Sequence, residues 1–445
     1  MDKRTAEKLL SLATSQKADA AEAFIRSSTS TTVEVKDQKV DAFDRARDIG
    51  AGLRVLVNGR MGFAFTTDLS EQALTELARS AITNARNVEP DPFHAIPQKP
   101  AHDYRSLSLY DPELASLSEH EMIERVMAME RDAFAVDPRI RRIRKASAGF
   151  SASETLIMNT HGAEVSYRGT AASSSIEVVA EDQGESQAGS DFDVNRFYRR
   201  LKIEEVGRRA ARKALDLLGV RHIDSVKAPV ILEAEVAQDF LGMMAGGFSA
   251  EGVQKKRSLF IGRLDQEVMS PLITVYDDAL VDGGLGSAPS DDEGVPTGKK
   301  TVIDKGRLAL FLHNTYTANK DRTVSTGNGM RGGFKGVPGV GVTNLYIEPG
   351  EHSLDELIAA LDRGLLVTEV MGMHTANPIS GDFSVGATGF WIEKGKKAYP
   401  VREITIAGTI LDLMKHVDAV GRDLRFSGRI GSPSLRVREL SIGGK

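Results

Sequence analysis

The sequence predicts an α+β protein with three parts: an N-terminal antiparallel sheet with covering helices, a middle α/β segment, and a large β-rich C-terminal domain. Three observations carry that expectation. Short alternating segments joined by turn dipeptides fill the chain as far as Phe65. Amphipathic stretches of helical period are interleaved with them. After Asp224 glycines multiply and helical patterning thins.

Each element follows in order. Ala6, Leu9, Leu10 and Ala13 share one face of a helix over residues 5–16. Residues 21–26, 31–36, 39–45 and 50–58 read as strands, with Asp37-Gln38 and Asn58-Gly59 as hairpin turns and 60–65 continuing the meander. A second helix, 71–87, buries Leu74, Leu77, Ala78 and Ile82. Residues 1–88 therefore read as an N-terminal α+β domain. Pro90, Pro92, Pro97 and Pro100 open a linker into a middle domain, 89–223. There Ser118-Glu119-His120-Glu121 is a capping box for a helix carrying Met122, Val126 and Met129 on one face. Strands follow over 139–179, and a helix over 202–218 ends at Gly219. Residues 224–445 form the C-terminal β-rich domain. It holds a strand at 228–232, a helix at 233–245, and a hairpin of 300–304 with 307–312 around Lys305-Gly306. A second capping box, Ser353-Leu354-Asp355-Glu356, opens a helix with Leu357, Ile358 and Leu361.

Composition narrows the function. The 445 residues carry a net charge of −5 and are 41% hydrophobic. A mildly acidic chain gives no footprint for nucleic acid or an anionic membrane. Its one basic run, 138–145, has no aromatic residues for stacking bases and reads as a solvated strand face. No run of roughly 18 apolar residues predicts a membrane span. The charged N-terminal segment does not have the form of a signal peptide. Cysteine is absent, which excludes thiolate ligands and cysteine nucleophiles. A cytoplasmic protein is expected.

Local catalytic motifs are missing. His120-Glu121 has no second histidine downstream, and Glu121 has a capping role. No two of the nine histidines lie closer than eight positions apart. His313, His374 and Asp382 are the set from which a dispersed metal site could assemble. Gly327-Asn328-Gly329-Met330-Arg331-Gly332 matches a dinucleotide glycine spacing, but Gly333, Gly336, Pro338 and Gly339 forbid the helix that pattern requires. Those glycines suit either close packing beside a partner or peptide, or a set of tight turns. Asp291-Asp292-Glu293 reads by default as a solvated acidic loop, with weak cation binding as the alternative. No serine sits in Gly-x-Ser-x-Gly.

The C-terminal third resembles the TldD/PmbA family, the "modulator of DNA gyrase" peptidases. The resemblance rests on Val367-Thr368-Glu369-Val370-Met371-Gly372 and on Asn377-Pro378-Ile379-Ser380-Gly381-Asp382-Phe383-Ser384. It continues through Ala387-Thr388-Gly389-Phe390-Trp391-Ile392-Glu393-Lys394-Gly395, and through Tyr399-Pro400-Val401-Arg402-Glu403-Ile404-Thr405-Ile406-Ala407-Gly408. It implies a metallopeptidase built from two related subunits. The TldD type carries a His-Glu-x-x-x-His helix, with a cysteine in its C-terminal tail. The TldE/PmbA type pairs with it and lacks a complete site. In this chain the equivalent helix reads Val236-Ala237-Gln238-Asp239-Phe240-Leu241, and the tail Gly428-Arg429-Ile430-Gly431-Ser432-Pro433 has no cysteine. The resemblance thus implies a TldE/PmbA-type subunit with no catalytic and no metal-binding residue of its own. Zinc is expected in a TldD-type partner, in a heterodimer acting on peptides or unfolded segments, with a homodimer expected in isolation. Asn328 and Arg331, and Asn377, Gly381, Asp382, Phe383 and Ser384, are the candidates to line the peptide cavity or the partner interface, or else are structural turns. Two rival readings stand beside this one: a metallopeptidase acting alone through dispersed ligands, and a regulatory protein-binding subunit.

Overall fold

The first long strands are joined by the residues that the turns demand. In the computed structural model, which describes residues 2–444, Asp37, Gln38, Asn58 and Gly59 all have positive φ. Helix α1 (Lys3–Ser15), capped by Asp2, leads into β1 (Ala20–Lys36), β2 (Lys39–Val57), β3 (Arg60–Thr66) and α2 (Glu71–Arg86). The four short strands expected over 21–58 are two long ones, because residues 27–32 keep their ladder with 44–49. Next come α3 (Pro112–Ala115), α4 (Glu119–Phe134) with both halves of its capping box formed, β4 (Ile140–Asn159), β5 (Glu164–Asp182), β6 (Glu185–Asn195) and α5 (Ile203–Asp216). The six strands form one antiparallel sheet, ordered β3-β2-β1-β4-β5-β6.

One face of that sheet is covered by helices. Leu9, Leu74 and Ile82 pack on Ile25, Leu53 and Val55 at one end. Val126, Met129, Val206 and Ala210 pack on Ile143, Ile176 and Val178 at the other. The basic run on β4 is ion-paired at the surface, as Arg144 with Glu177 and Lys145 with Glu34 illustrate. Alternation sends Glu22, Phe24 and Arg26 to the opposite face, which meets the C-terminal half.

That half contains β7 (Val226–Leu232), α6 (Ala234–Ala245), α7 (Ala250–Gln254), β8 (Val275–Asp278), β9 (Lys299–Asp304), β10 (Arg307–Leu308) and α8 (Thr315–Asp321). The ribbon β11 (Gly329–Met330) with β12 (Gly339–Val340), then β13 (Leu345–Ile347), α9 (Leu354–Ala359) and β14 (Arg363–Met371) follow. The chain continues through β15 (Asp382–Glu393), β16 (Lys396–Thr409), α10 (Ile410–Lys415), β17 (Val417–Val420), β18 (Arg425–Ser427), β19 (Ile430–Ser432) and β20 (Leu435–Gly443). One mixed sheet runs β16-β15-β14-β7-β20-β17, and a β16–β20 pairing closes five of its strands into a ring. A second runs β10-β9-β8-β13-β19-β18. Leu232, Phe240, Leu241, Val275, Ile303, Leu345 and Trp391 belong to one continuous core that draws on both sheets and α6. The architecture is α+β, with the largest β content in the C-terminal half.

Candidate functional site

The inner face of the N-terminal sheet carries charge where only apolar contact would be expected. Arg54 on β2 lies opposite Glu22 on β1. Its Nη2 donates to Glu22 Oε2 at 2.7 Å, and its Nη1 donates to Glu293 Oε1 at 2.9 Å. Arg331, from the glycine-rich segment, donates to the other Glu22 oxygen. Glu293 also accepts the Thr315 N–H at 2.7 Å. Glu22 and Glu293 are fully buried and Arg54 is nearly so. The acidic run is therefore not a solvated loop: Asp291 is 4% exposed and Glu293 0%. Backbone donors explain why it can be buried. Asp291 accepts N–H groups of Glu293, Val295 and Gly329, and Asp292 accepts that of Arg331.

Two glycines let the halves approach. A Cβ at Gly50 or Gly52 would collide with Phe334, whose ring packs near Phe24 and Ile157. The β11–β12 ribbon thereby seats on the sheet. Beside it lies a cavity of about 210 Å³ between the halves, lined by Arg26, Tyr167 and Arg196 on one side and by Ser290, Asp292 and Arg331 among others on the opposite side.

Helix α6 is the second place of interest. Its Val236, Ala237, Phe240, Leu241 and Met244 are buried in the core. Gln238 donates to the Arg425 carbonyl at 2.6 Å, which ties the helix to the chain's tail. Glu235 pairs with Lys213 at 3.0 Å and with Arg425. Desolvation, with the like charge of Glu235, pushes the Asp239 carboxyl up.

Comparison with known proteins places this geometry. Residues 21–85, 112–218 and 225–444 match, in order, domain 1, the central domain and the C-terminal domain of the PmbA/TldA metallopeptidases. The chain is 32% identical to Metalloprotease PmbA of Escherichia coli O157:H7 over 434 residues, 97% of this chain and 94% of that one. The chain belongs to the PmbA/TldD metallopeptidase family. Within that family, a Metalloprotease TldD homolog of Haemophilus influenzae is 27% identical over 427 residues, covering 89% of this chain and 87% of the relative. A Thermotoga maritima crystal structure described as a modulator of a DNA gyrase superimposes with a TM-score of 0.92 at 31% identity, covering 99% of both chains. TldE from Thermococcus kodakarensis gives 0.91 at 26% identity, covering 99% and 100%.

The residues of this PmbA/TldD chain at α6 and its tail do not fit a metal. Neither segment offers an imidazole or a thiolate, and Glu235 is already neutralised by two cations. Among the described residues, no group of three or more histidine, aspartate or glutamate side chains is placed to hold a metal ion. His313 is buried, with an Nδ1 that has no hydrogen-bond partner among the described residues, whereas His374 and Asp382 are exposed.

The sequence-predicted site residues separate into two groups. Arg331 lines the cavity. Asn328, fully buried, bonds instead to Asp277, Lys300, Thr326 and Gly341. None of 377–384 lines the cavity. Asn377 Oδ1 accepts the N–H groups of Ile379 and Ser380 in a turn closed by Gly381 at φ 84°. Asp382, Phe383 and Ser384 are the start of β15 and not a loop; Asp382 and Ser384 point outward while Phe383 packs against Phe240. Sequence reasoning missed Glu22, Arg54 and Glu293. The available signal was charge inside otherwise apolar strands, at Glu22 between Ala21 and Ala23 and at Arg54 between Leu53 and Val55.

The network sets a pH dependence. Burial alone would push the Glu22 carboxyl up, but the guanidinium groups of Arg331 and Arg54 hold it below the ordinary value. A depressed carboxylate contributes stability that is fully present above its unfolded value, near 4.5, and lost as pH falls through the folded one. Glu22→Gln is therefore expected to unfold at lower urea than wild type at neutral pH. The gap should narrow as wild type is acidified below that value. A gap independent of pH, measured by urea titration, would remove Glu22's charge from the account. Asp291 has the opposite sign: burial and Glu293 push its carboxyl well up, so its contribution declines as pH rises through the folded value.

Proposed function

We propose that this chain is the TldE/PmbA-type subunit of a two-subunit metallopeptidase acting on peptides or unfolded segments in the cytoplasm. A TldD-type partner supplies zinc, and this chain holds and shapes the substrate. The observation that carries the reading is α6. At the helix where the family resemblance puts a metal site, this chain has buried hydrocarbon, no histidine, and no cysteine anywhere in the sequence. The likeness to TldE from Thermococcus kodakarensis over the full length supports it further. A bound zinc activates water and polarises a carbonyl; that chemistry belongs to the partner. What this chain contributes is shape and charge at the cavity between its halves. A related partner suggests that the same surface pairs with itself when the chain is alone.

The test is reconstitution. Alone, the purified chain is expected to cleave no unfolded peptide and to carry no stoichiometric zinc by elemental analysis. Mixed with a TldD-type subunit it should support cleavage, which a chelator abolishes. Chelator-sensitive cleavage by this chain alone would overturn the reading in favour of a dispersed metal site.

A further inference from the structure

The cavity between the halves holds more positive charge than it neutralises. Arg331 is matched by Glu22. Arg26, Arg196 and Arg429 also face the cavity. Among the described residues, none of these three has a carboxylate within ion-pairing distance. Arg196 spends its donors on the carbonyls of Gly284, Leu285 and Ser287. Burial pushes its guanidinium down to about 10, so it stays charged at neutral pH. The side-chain contact of the exposed Arg429 is the Met330 sulfur. Asp291 and Asp292 are the acids that line it: burial and Glu293 push the Asp291 carboxyl well up, and burial pushes that of Asp292 up against the pull of Arg331, Arg26 and Arg429. Two such carboxyls, which already accept the N–H groups of Gly329 and Arg331, cannot balance three arginines.

A second observation is independent of charge. Ser290 and Thr343 are each 1% exposed and line the same cavity, yet neither hydroxyl has a hydrogen-bond partner among the described residues. Buried hydroxyls are ordinarily satisfied, and leaving one unpaired is destabilising. Tyr167 adds a third hydroxyl, which burial and Asp292 hold in its protonated, donating form. Uncompensated guanidinium groups together with unspent hydroxyl donors suit an oxyanion ligand. At about 210 Å³ the cavity is smaller than the roughly 300–1,000 Å³ that encloses a whole drug-sized ligand. It takes the end of a chain or a single side chain and not a long segment.

We propose that this cavity is a carboxylate-recognition site for peptides, with Arg26 and Arg429 pairing to the carboxylate, Arg196 holding the local potential positive, and Ser290 and Thr343 donating to it. The proposal rests on the reading of the chain as a peptide-holding subunit and gives that role a chemical preference. Two sources share the chemistry: a free peptide C-terminus and an acidic side chain.

The test is binding to the isolated full chain, by fluorescence anisotropy. Three fluorescein-labelled alanine–serine peptides serve as probes: one with a free C-terminus, one amidated, and one amidated but carrying a glutamate. The free acid is expected to bind roughly tenfold to a hundredfold more tightly than the neutral amidated peptide. Recovery by the glutamate peptide would assign the site to acidic side chains; no recovery would assign it to the C-terminus. Arg26→Gln and Arg429→Gln should each remove most of the preference, with thermal unfolding unchanged as the folding control. If Arg26→Gln does not fold, the exposed Arg429 carries the test alone. Equal binding of amidated and free-acid peptides, binding of none of them, or a preference that survives the Arg429 change would overturn the proposal. Because this assay needs no partner, its failure is separable from failure of the reconstitution. Partner-dependent cleavage without carboxylate preference would leave the subunit role standing and remove this site.

Discussion

Arg54→Ala is expected to destabilise the folded chain by about 3–5 kcal/mol, because it strands buried carboxylates. The wild-type guanidinium reaches Glu22 at 2.7 Å and Glu293 at 2.9 Å from its two terminal nitrogens. After truncation Glu22 keeps Arg331, but Glu293 keeps, among the described residues, the Thr315 N–H alone and lies beside Asp291. Arg54 also bridges regions of the chain 239 positions apart, so its loss loosens the joint between the two halves as well as a local contact. Lysine is no remedy: a single ammonium cannot present the planar fork that serves two carboxylates at once. Arg54→Lys is expected to recover only part of the loss. The comparison is Arg79→Ala, whose partner Glu76 is an exposed neighbour on the same helix, and which should leave the urea midpoint unchanged. If Arg54→Ala cost no more than Arg79→Ala, the buried network would have no structural role.

How far the sequence alone discloses this fold depends on whether a signal is local. The capping boxes at Ser118 and Ser353 form as read, because all their partners lie within four residues. The predicted hairpin turn at Lys305-Gly306 forms with both residues in the left-handed region, although the second strand is only Arg307–Leu308. Strand β6 was invisible. Its sequence is Glu-Ser-Gln-Ala-Gly-Ser-Asp-Phe-Asp-Val-Asn, polar on the very face that is buried. Gln187 and Asp191 are satisfied there by Arg402, Arg209 and Lys213 from elsewhere, and a Cβ at Gly189 would strike α5. Such a face is legible only once its partners are known. The same holds for the cavity. Arg331 could be singled out in a glycine-rich segment, but Arg26, Arg196 and Ser290 come together through tertiary contact alone. The acidic run misled for a related reason: its backbone donors include Gly329, which is 38 positions from Asp291.

Phe240→Ala is expected to cost about 3–5 kcal/mol, comparable with the loss of Arg54. Phe240 is fully buried, and its ring meets Phe383 edge-on at 5.0 Å and 71°, a favourable geometry for an aromatic pair. With Val236, Leu241 and Met244 it fixes α6 in the core of the C-terminal half. This is the physical meaning of the missing histidines. A metal-binding helix presents polar ligands to a cleft; this one presents hydrocarbon to its neighbours and is held by packing. Phe383→Ala should therefore destabilise as well. In a double-mutant cycle, the combined variant should cost less than the two singles added, since both remove one contact. Added zinc should leave the unfolding midpoint of wild type and of Phe240→Ala unchanged, because a metal stabilises only a fold that binds it. A zinc-dependent rise in the wild-type midpoint, lost on replacing a residue of α6, would mean that the helix holds an ion after all.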